Sequence, residues 1–359
     1  MRIAALLPTH HLPEEAIPWM QEVRSVFDEL VIFIDERRAT PGTVTRAEGV
    51  GTRILANKAE TWYAADRLAM LAACESDWVF TIEYDEQLSP EWHQHTWRQI
   101  LEKTPFTHFW CLRQWILPSA RYISGNPWSP DFQLRLFRNK LEGTEFPSKL
   151  HENVFIPGLG ACFRNLSLYH HVLWLMSRAQ REDKVRSYEH LRPGSSDGYY
   201  YLYEDHKPPK APLPGGRKLD VSREILQIHK FSPEEILKIS LKVEGVPKSI
   251  SASQLFWLAV EVTNATRQNL SSSPSPFSVN LSYHWIDQGT RRMFVFDGRR
   301  SGLWPGAPAA TTTTGTMMII APDQPGQYIL QTTMVQEGVC WFEDVQADIL
   351  QEFSISVTA

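Results

Sequence analysis

Nothing in this sequence is apolar for long enough to cross a membrane, and the N-terminal MRIAALLPTHHLPEEA has neither the apolar length nor the cleavage pattern of a secretory signal. Cysteine is scarce. Cys74, Cys111, Cys162 and Cys340 are scattered without C-x-x-C spacing, which fits reduced thiols in a cytoplasmic protein better than a disulfide framework or a zinc site. There is no basic excess: 36 Lys and Arg face 41 Asp and Glu, so no overall electrostatic attraction to nucleic acid or an anionic membrane is expected, and only local sites stay open. No glycine-rich turn follows the first apolar run, LLPTHHLPEE. A dinucleotide-dependent dehydrogenase, a methyltransferase or a sugar-phosphate nucleotidyltransferase needs such a turn there to bring backbone N–H groups against phosphate.

What is present reads as two halves with different grammar. The chain has 359 residues, 43% of them hydrophobic, enough for a substantial core and for two domains. In the first half short apolar runs alternate with helical patterns, the signature of a mostly parallel sheet flanked by helices. RIAALLP, ELVIFID, RILAN and WVFTIEY are the expected strands. Ile17, Met20, Val23 and Phe27 mark one helix face, and Trp62, Ala65, Ala69 and Ala72 another. DHKPPKAPLPGGRK then breaks the pattern. Beyond SPEEILKISLK the runs QLFWLAVEVTN, FSVNLSYHWID, RMFVF, TMMIIAP, GQYILQTTMV and EFSISV predict an all-β sandwich. The expected division is an α/β domain over 1–204, a linker and short helix over 205–235, and a β-sandwich over 236–359.

WVFTIEYDEQLSPEW carries the chemistry. The apolar run ends in Glu83, Asp85 and Glu86, and Ser89, Pro90 and Glu91 signal a helix start directly after. The acids therefore belong on a strand-to-helix loop at the carboxyl edge of the sheet, where α/β sheets bind ligands. Glu83 and Asp85, two apart, share one side of an extended chain. Acids so placed suit Mg²⁺ or Mn²⁺ on a phosphorylated ligand; solvated loop acids beside a helix dipole are the plainer alternative.

The segment WVFTIEYDEQLS resembles the D-x-D-E-x-L stretch of family 2 glycosyltransferases of the GT-A fold, especially the non-processive, lipopolysaccharide-core-type sugar transferases. ELVIFID, FQLRLFRN, LHEN and YHHVLWLMSRAQREDKVRSYEHLRPG resemble that family's further segments in order, over roughly residues 1–204. There is no Q-x-x-R-W sequence, as a processive synthase would carry. Glu83 stands where aspartate is usual, Tyr84 replaces a small residue, and PTHHLPEE lacks the usual Asn-Glu pair. The second half, through Ala321, Pro322, Pro325, Gly326, Tyr328, Trp341 and Phe342, resembles immunoglobulin-like accessory sandwiches appended to bacterial sugar enzymes.

The resemblance implies a cytoplasmic, metal-assisted, inverting transfer from a nucleotide-sugar donor to a glycan or lipid-linked acceptor. It implies Thr9, Asp35, Arg67, Glu83 and Asp85 at the donor, with Asp85, Glu83 and His151 at the metal. Glu152 is the implied general base. Trp110, Arg113 and Trp115, since sugars stack on aromatic faces, and Arg135 are the candidate acceptor contacts, alternating strand aromatics being core in the plainer reading. Arg178, Arg181 and Lys184 either neutralise phosphate or form a solvated helix face. No nucleic acid and no membrane span are expected; pairing of copies through the sandwich is open. The rival to catalysis is a degenerate scaffold that binds nucleotide sugar or glycan. Exposed Trp285, Trp304 and Trp341 would favour glycan binding by the sandwich, and buried ones a core role.

Overall fold

The computed structural model describes the chain except residues 58–63, 147–153, 192, 194–197, 227–228 and 275–276, and for residues 56, 57 and 64–66 it describes the backbone alone. Trp62, His151 and Glu152 lie outside the described residues. The chain forms two compact units. The first takes residues 1–122, 132–201 and 212–226; the second takes 123–131, 202–211 and 227–359.

In the first unit, β1 (Ile3–Thr9), β2 (Glu29–Asp35), β3 (Arg53–Asn57) and β4 (Trp78–Thr81) are parallel, in the order β3-β2-β1-β4. Helices α1 (Ile17–Val26), α2 (Thr43–Val50) and α3 (Ala64–Ala72) connect them. Every residue of ELVIFID is buried, as expected of a strand covered on both faces. Met20 and Val23 of α1 are fully buried against this sheet.

Beyond β4 the chain does not pass straight into a helix. A turn at Tyr84–Asp85 leads to the short strand β5 (Glu86–Leu88), and Pro90–Gln94 is a 3-10 turn. The Ser89 hydroxyl caps nothing; it accepts from Ser167 N–H at 3.3 Å. After α4 (Arg98–Glu102) come β6 (His108–Leu117), β7 (Arg121–Ile123), β8 (Asp131–Arg138) and β9 (Gly160–His170), then α5 (Val172–Leu175) and α6 (Arg178–Leu191). Strand β8 runs antiparallel to β4, β6 runs parallel to β9, and β5 pairs antiparallel with β9, Glu86 opposite His170. Pairing with β9 is why Glu86–Leu88 is a strand where a loop was expected; the helix start expected at Ser89–Pro90 is a short 3-10 helix.

The second unit is a β-sandwich. Ile239–Glu244, Leu255–Asn264 and Thr311–Ile320 form one sheet. The other orders Ser249–Ser251, Gln351–Thr358, Gly326–Gln336, Val279–Asp287 and Met293–Val295, with two short strands attached. Alternation decides the core: along Val279–Asp287, Val279, Leu281, Tyr283 and Trp285 all enter it. Trp285 is fully buried, its Nε1 donating to Ile320 O at 2.9 Å, so it is core and no glycan platform; Trp304 and Trp341 are half-buried. Residues 123–131 also join this unit: Asn126 Oδ1 accepts from Gly302 N–H at 2.9 Å and Asn126 O from Trp257 Nε1 at 2.8 Å. The four cysteines are free thiols.

Candidate functional site

Parallel strands bring Thr9, Asp35 and Thr81 to one edge of the sheet. Because β8 runs the other way, its Leu136 faces Phe80 and its Arg135 reaches the same edge beyond it. Arg135 is buried and clasps two acids. Its Nη2 lies 2.5 Å from Glu86 Oε1 and 3.2 Å from Glu83 Oε1. Arg113 of β6 stands 3.8 Å from the same Glu86 oxygen, and Glu86 Oε2 accepts from Glu83 N–H at 3.1 Å.

Glu83 and Asp85 therefore do not share a side. The turn at Tyr84–Asp85 sends Glu83, 47% exposed, to Arg135, and Asp85, 5% exposed, to His170, whose Nε2 is 3.3 Å from Asp85 Oδ2. Burial works against the charge on Asp85, but His170 beside it holds the carboxyl well below the usual range, and Lys184 and Arg113 act in the same sense. For Glu83 burial is likewise opposed, by Arg135, and the carboxyl is lowered. Burial pushes Glu86 up against the pull of Arg135.

Three atoms of this cluster stand out. Asp85 Oδ1, His170 Nδ1 and Arg135 Nε are buried with no hydrogen-bond partner among the described residues. A buried carboxylate oxygen left unsatisfied costs free energy, and native proteins keep such atoms at sites with a ligand to complete them. The neighbouring His171 has the opposite character. Trp174 Nε1 donates to its Nδ1 at 2.7 Å, its Nε2 meets Gln87 Oε1 at 3.1 Å, and it stacks on Trp19 at 4.2 Å. Burial lowers its pKa to about 4, so it is a neutral packed ring.

Aromatic groups from β6 and α6 close over the pair. Trp115 meets His170 edge-on at 4.5 Å and stacks on Tyr200 at 5.7 Å, and the Arg113 guanidinium lies over Trp115 at 5.3 Å. The Lys184 ammonium sits over Tyr201 at 4.8 Å and Tyr188 at 5.6 Å. Burial opposes its charge, but the two tyrosines and Asp85 keep it protonated, with its pKa raised. Tyr84, half-buried, is pushed up to about 12 by burial and by Asp85.

Beside the acids a small pocket opens among Pro8, Arg67, Thr81, Glu83, Arg135 and Phe146, with Leu6 and Met70 also lining it. Arg67, Glu83 and Arg135, expected at the site on separate grounds, thus line one cavity. The other expected residues are elsewhere or engaged. Asp35 is bound by Arg38 Nε at 2.6 Å and by Arg37 at 3.4 Å; burial works against its charge, and these guanidiniums hold it below the ordinary range. The Thr9 hydroxyl closes a local turn, donating to His11 O and accepting from His11 N–H at 3.0 Å. Trp110 packs edge-on His108 at 4.7 Å, five residues along β6 from Trp115. Among the described residues no group of three His, Cys, Asp or Glu is placed to hold a metal by itself.

His170, Tyr188 and Tyr201 join the cluster without having been singled out by the sequence, whereas Lys184 had been read as a phosphate-neutralising cation or part of a solvated face. His170 is the last residue of β9. The alternation through NLSLYH, had it been followed to its end, extends the strand to His170.

No family model matches the sequence and no curated protein does. Among solved structures the chain is similar to the mannosyltransferase PcManGT of Pyrobaculum calidifontis in complex with GDP-Man and Mn²⁺, at 12% identity over 58% of this chain and 66% of that one, TM-score 0.38. It is similar to S. aureus TarS 1–349 at 14% identity over 57% and 70%, TM-score 0.32. It is also similar to a β-glucosidase from Listeria innocua at 12% identity over 34% of this chain and 16% of that one, TM-score 0.25. All three are partial, low-scoring likenesses, and the chain spans a small part of the β-glucosidase.

Proposed function

We propose that the first unit is a family 2-like transferase that moves a sugar from a nucleotide-diphosphate donor to a hydroxyl acceptor with inversion, Asp85 and His170 holding Mg²⁺ or Mn²⁺. The observation that carries this is the unsatisfied Asp85 Oδ1 beside His170, next to a pocket with two guanidiniums. The donor set fits such an ion. Asp85 Oδ1 would be the oxygen offered to the ion, with the His170 ring 3.3 Å from the other carboxylate oxygen. Two protein ligands leave room for phosphate and water, as these ions prefer. Glu83, paired with Arg135, is assigned to holding the loop and not to the ion.

A divalent ion in this position supplies positive charge against the donor diphosphate. The chain supplies the rest. Arg67 and Arg135 present fixed cations to the pocket, and Lys184, clamped between tyrosine faces, adds charge beside Asp85. Such pre-set charge stabilises a leaving diphosphate without reorganisation at the moment of reaction. Trp115 with Arg113 supplies an aromatic, basic wall for the acceptor; Trp110 packs too far along β6 to join it. Glu152 remains the proposed base that takes the acceptor hydroxyl proton, on the resemblance alone. The second unit is proposed as an immunoglobulin-like accessory domain, through which copies could pair, in a cytoplasmic enzyme whose acceptor is a glycan or a lipid-linked sugar.

The test is thermal stability with nucleotide sugars, with and without Mn²⁺, for the wild type and Asp85→Ala. Binding to the native state raises the melting temperature. A Mn²⁺-dependent rise with one donor is expected in the wild type and none in the variant; equal rises in both would overturn the assignment. Glu152→Gln is expected to lower turnover about a hundredfold to ten-thousandfold while leaving the donor-dependent rise intact. A second reading, a donor-binding scaffold without catalysis, is favoured by the engagement of Glu83 and Glu86 with Arg135 and Arg113. It predicts no donor hydrolysis and no metal dependence.

A further inference from the structure

We propose that the second unit docks on an anionic membrane surface through the segment R-R-M-F-V-F-D-G-R-R, residues 291–300. Among the described residues Met293–Val295 is the outermost strand of its sheet, paired with Val279–Asp287. Three large apolar side chains within four residues face solvent: Met293 at 47%, Phe294 at 37% and Phe296 at 54% exposure. They are not loose. Phe296 stacks on buried His284 at 5.0 Å and meets Trp341 at 5.5 Å, and Phe294 meets Tyr328 edge-on at 5.2 Å. Each ring is anchored on its inner side and presented on its outer side.

Charge selects the partner. The chain as a whole carries −5, yet these ten residues hold four arginines and one aspartate. Arg291, Arg292 and Arg299 are exposed. Asp297 and Glu337 lie 2.6 and 2.7 Å from Arg300 and Glu352 lies 3.8 Å from Arg291, and Arg299 is engaged as well. Exposed apolar side chains flanked by arginines match the two halves of a lipid interface: acyl-chain boundary for the rings, anionic headgroups for the guanidiniums. A saccharide is recognised by polar groups aimed outward around a ring. Here Arg300 and Asn280 instead spend their donors on Glu337, at 2.7 and 2.9 Å. A second copy of the chain would set these arginines against their like, along a strand of only three residues.

The experiment is co-sedimentation of the full chain with vesicles of phosphatidylcholine alone, or of phosphatidylcholine and phosphatidylglycerol in equal parts. Binding to the mixed vesicles and not to phosphatidylcholine is expected, weakening at high salt as screening shortens. Phe294→Ser with Phe296→Ser, and separately Arg292→Glu with Arg299→Glu, should each weaken it at least about tenfold. The charge reversals touch only exposed side chains, so they test the proposal even if the phenylalanine variant folds poorly. Absence of binding to mixed vesicles overturns the proposal. So does binding that both variants retain, saturable binding of a soluble glycan lost in the variants, or a wild-type dimer in solution that the phenylalanine variant dissociates.

Discussion

Among the described residues each unit pairs a buried histidine with a carboxylate, and the two pairs are built differently. In the sandwich, His284 Nε2 is 2.9 Å from Glu343 Oε1; the other ring nitrogen meets Phe296 O, and the other carboxylate oxygen accepts from the Thr333 hydroxyl. Every polar atom has a partner. In the α/β unit, His170 and Asp85 sit at 3.3 Å with the outer atom of each, Nδ1 and Oδ1, left over. A saturated pair ties elements together, here Val279–Asp287 to the chain after Gly326–Gln336, and has nothing left to offer a ligand. An unsaturated pair at the carboxyl edge of a parallel sheet leaves Asp85 Oδ1 to offer a ligand, and Arg135, Arg113 and Lys184 balance the acids around it.

The sharpest test of that contrast exchanges the two histidines' fates. His170→Ala is expected to abolish the Mn²⁺-dependent thermal rise with donor, whereas His284→Ala leaves it in place; calorimetric titration of Mn²⁺ and donor checks both. If His284→Ala removes it as well, the distinction between the pairs fails. Next in size is Arg135→Ala. It leaves Glu86, fully buried, without its 2.5 Å partner, and uncompensated buried charge costs about 3–5 kcal/mol, read in chemical denaturation. Arg135→Ala with Glu86→Leu should recover much of that loss.

Glu343→Gln is the smaller, sandwich-side perturbation, expected to cost about 1–3 kcal/mol through mismatched buried hydrogen bonds. It also predicts a pH dependence. Burial works against the Glu343 charge, but the hydrogen bonds of His284 and Thr333 hold the folded carboxyl below its ordinary 4.5. A depressed folded pKa means stability that is present above 4.5 and lost as pH falls through the lower folded value. The wild type should therefore lose melting temperature on that acid limb more steeply than Glu343→Gln. Arg178→Ala sets the floor: its pair with Glu182 at 3.0 Å is exposed on α6, and such helix pairs contribute about 0.3–0.5 kcal/mol. A loss comparable to that of Arg135→Ala would show that exposed and buried pairs are not distinct here.

Local pattern by itself determined much of this protein. The apolar runs ELVIFID and RILAN specify strands that the structure reproduces residue for residue, and ELVIFID, buried at every residue, admits few alternatives. The acids of EYDEQ were legible as a group at a strand end, and the change from mixed to β-rich grammar announced a second unit. Only tertiary structure decided how those acids are used. The turn at Tyr84–Asp85 separates Glu83 from Asp85, and the pairing of β5 with β9 sets Glu86 opposite His170, 84 residues along the chain. An antiparallel β8 delivers Arg135 to an edge that parallel strands define. Residues 123–131 join the sandwich by bonding Asn126 to Gly302. None of these has a local signal. Each follows from backbone hydrogen-bond pairing between segments far apart in sequence, and it is that pairing which left Asp85 Oδ1 without a partner while every polar atom of the Glu343 and His284 pair found one.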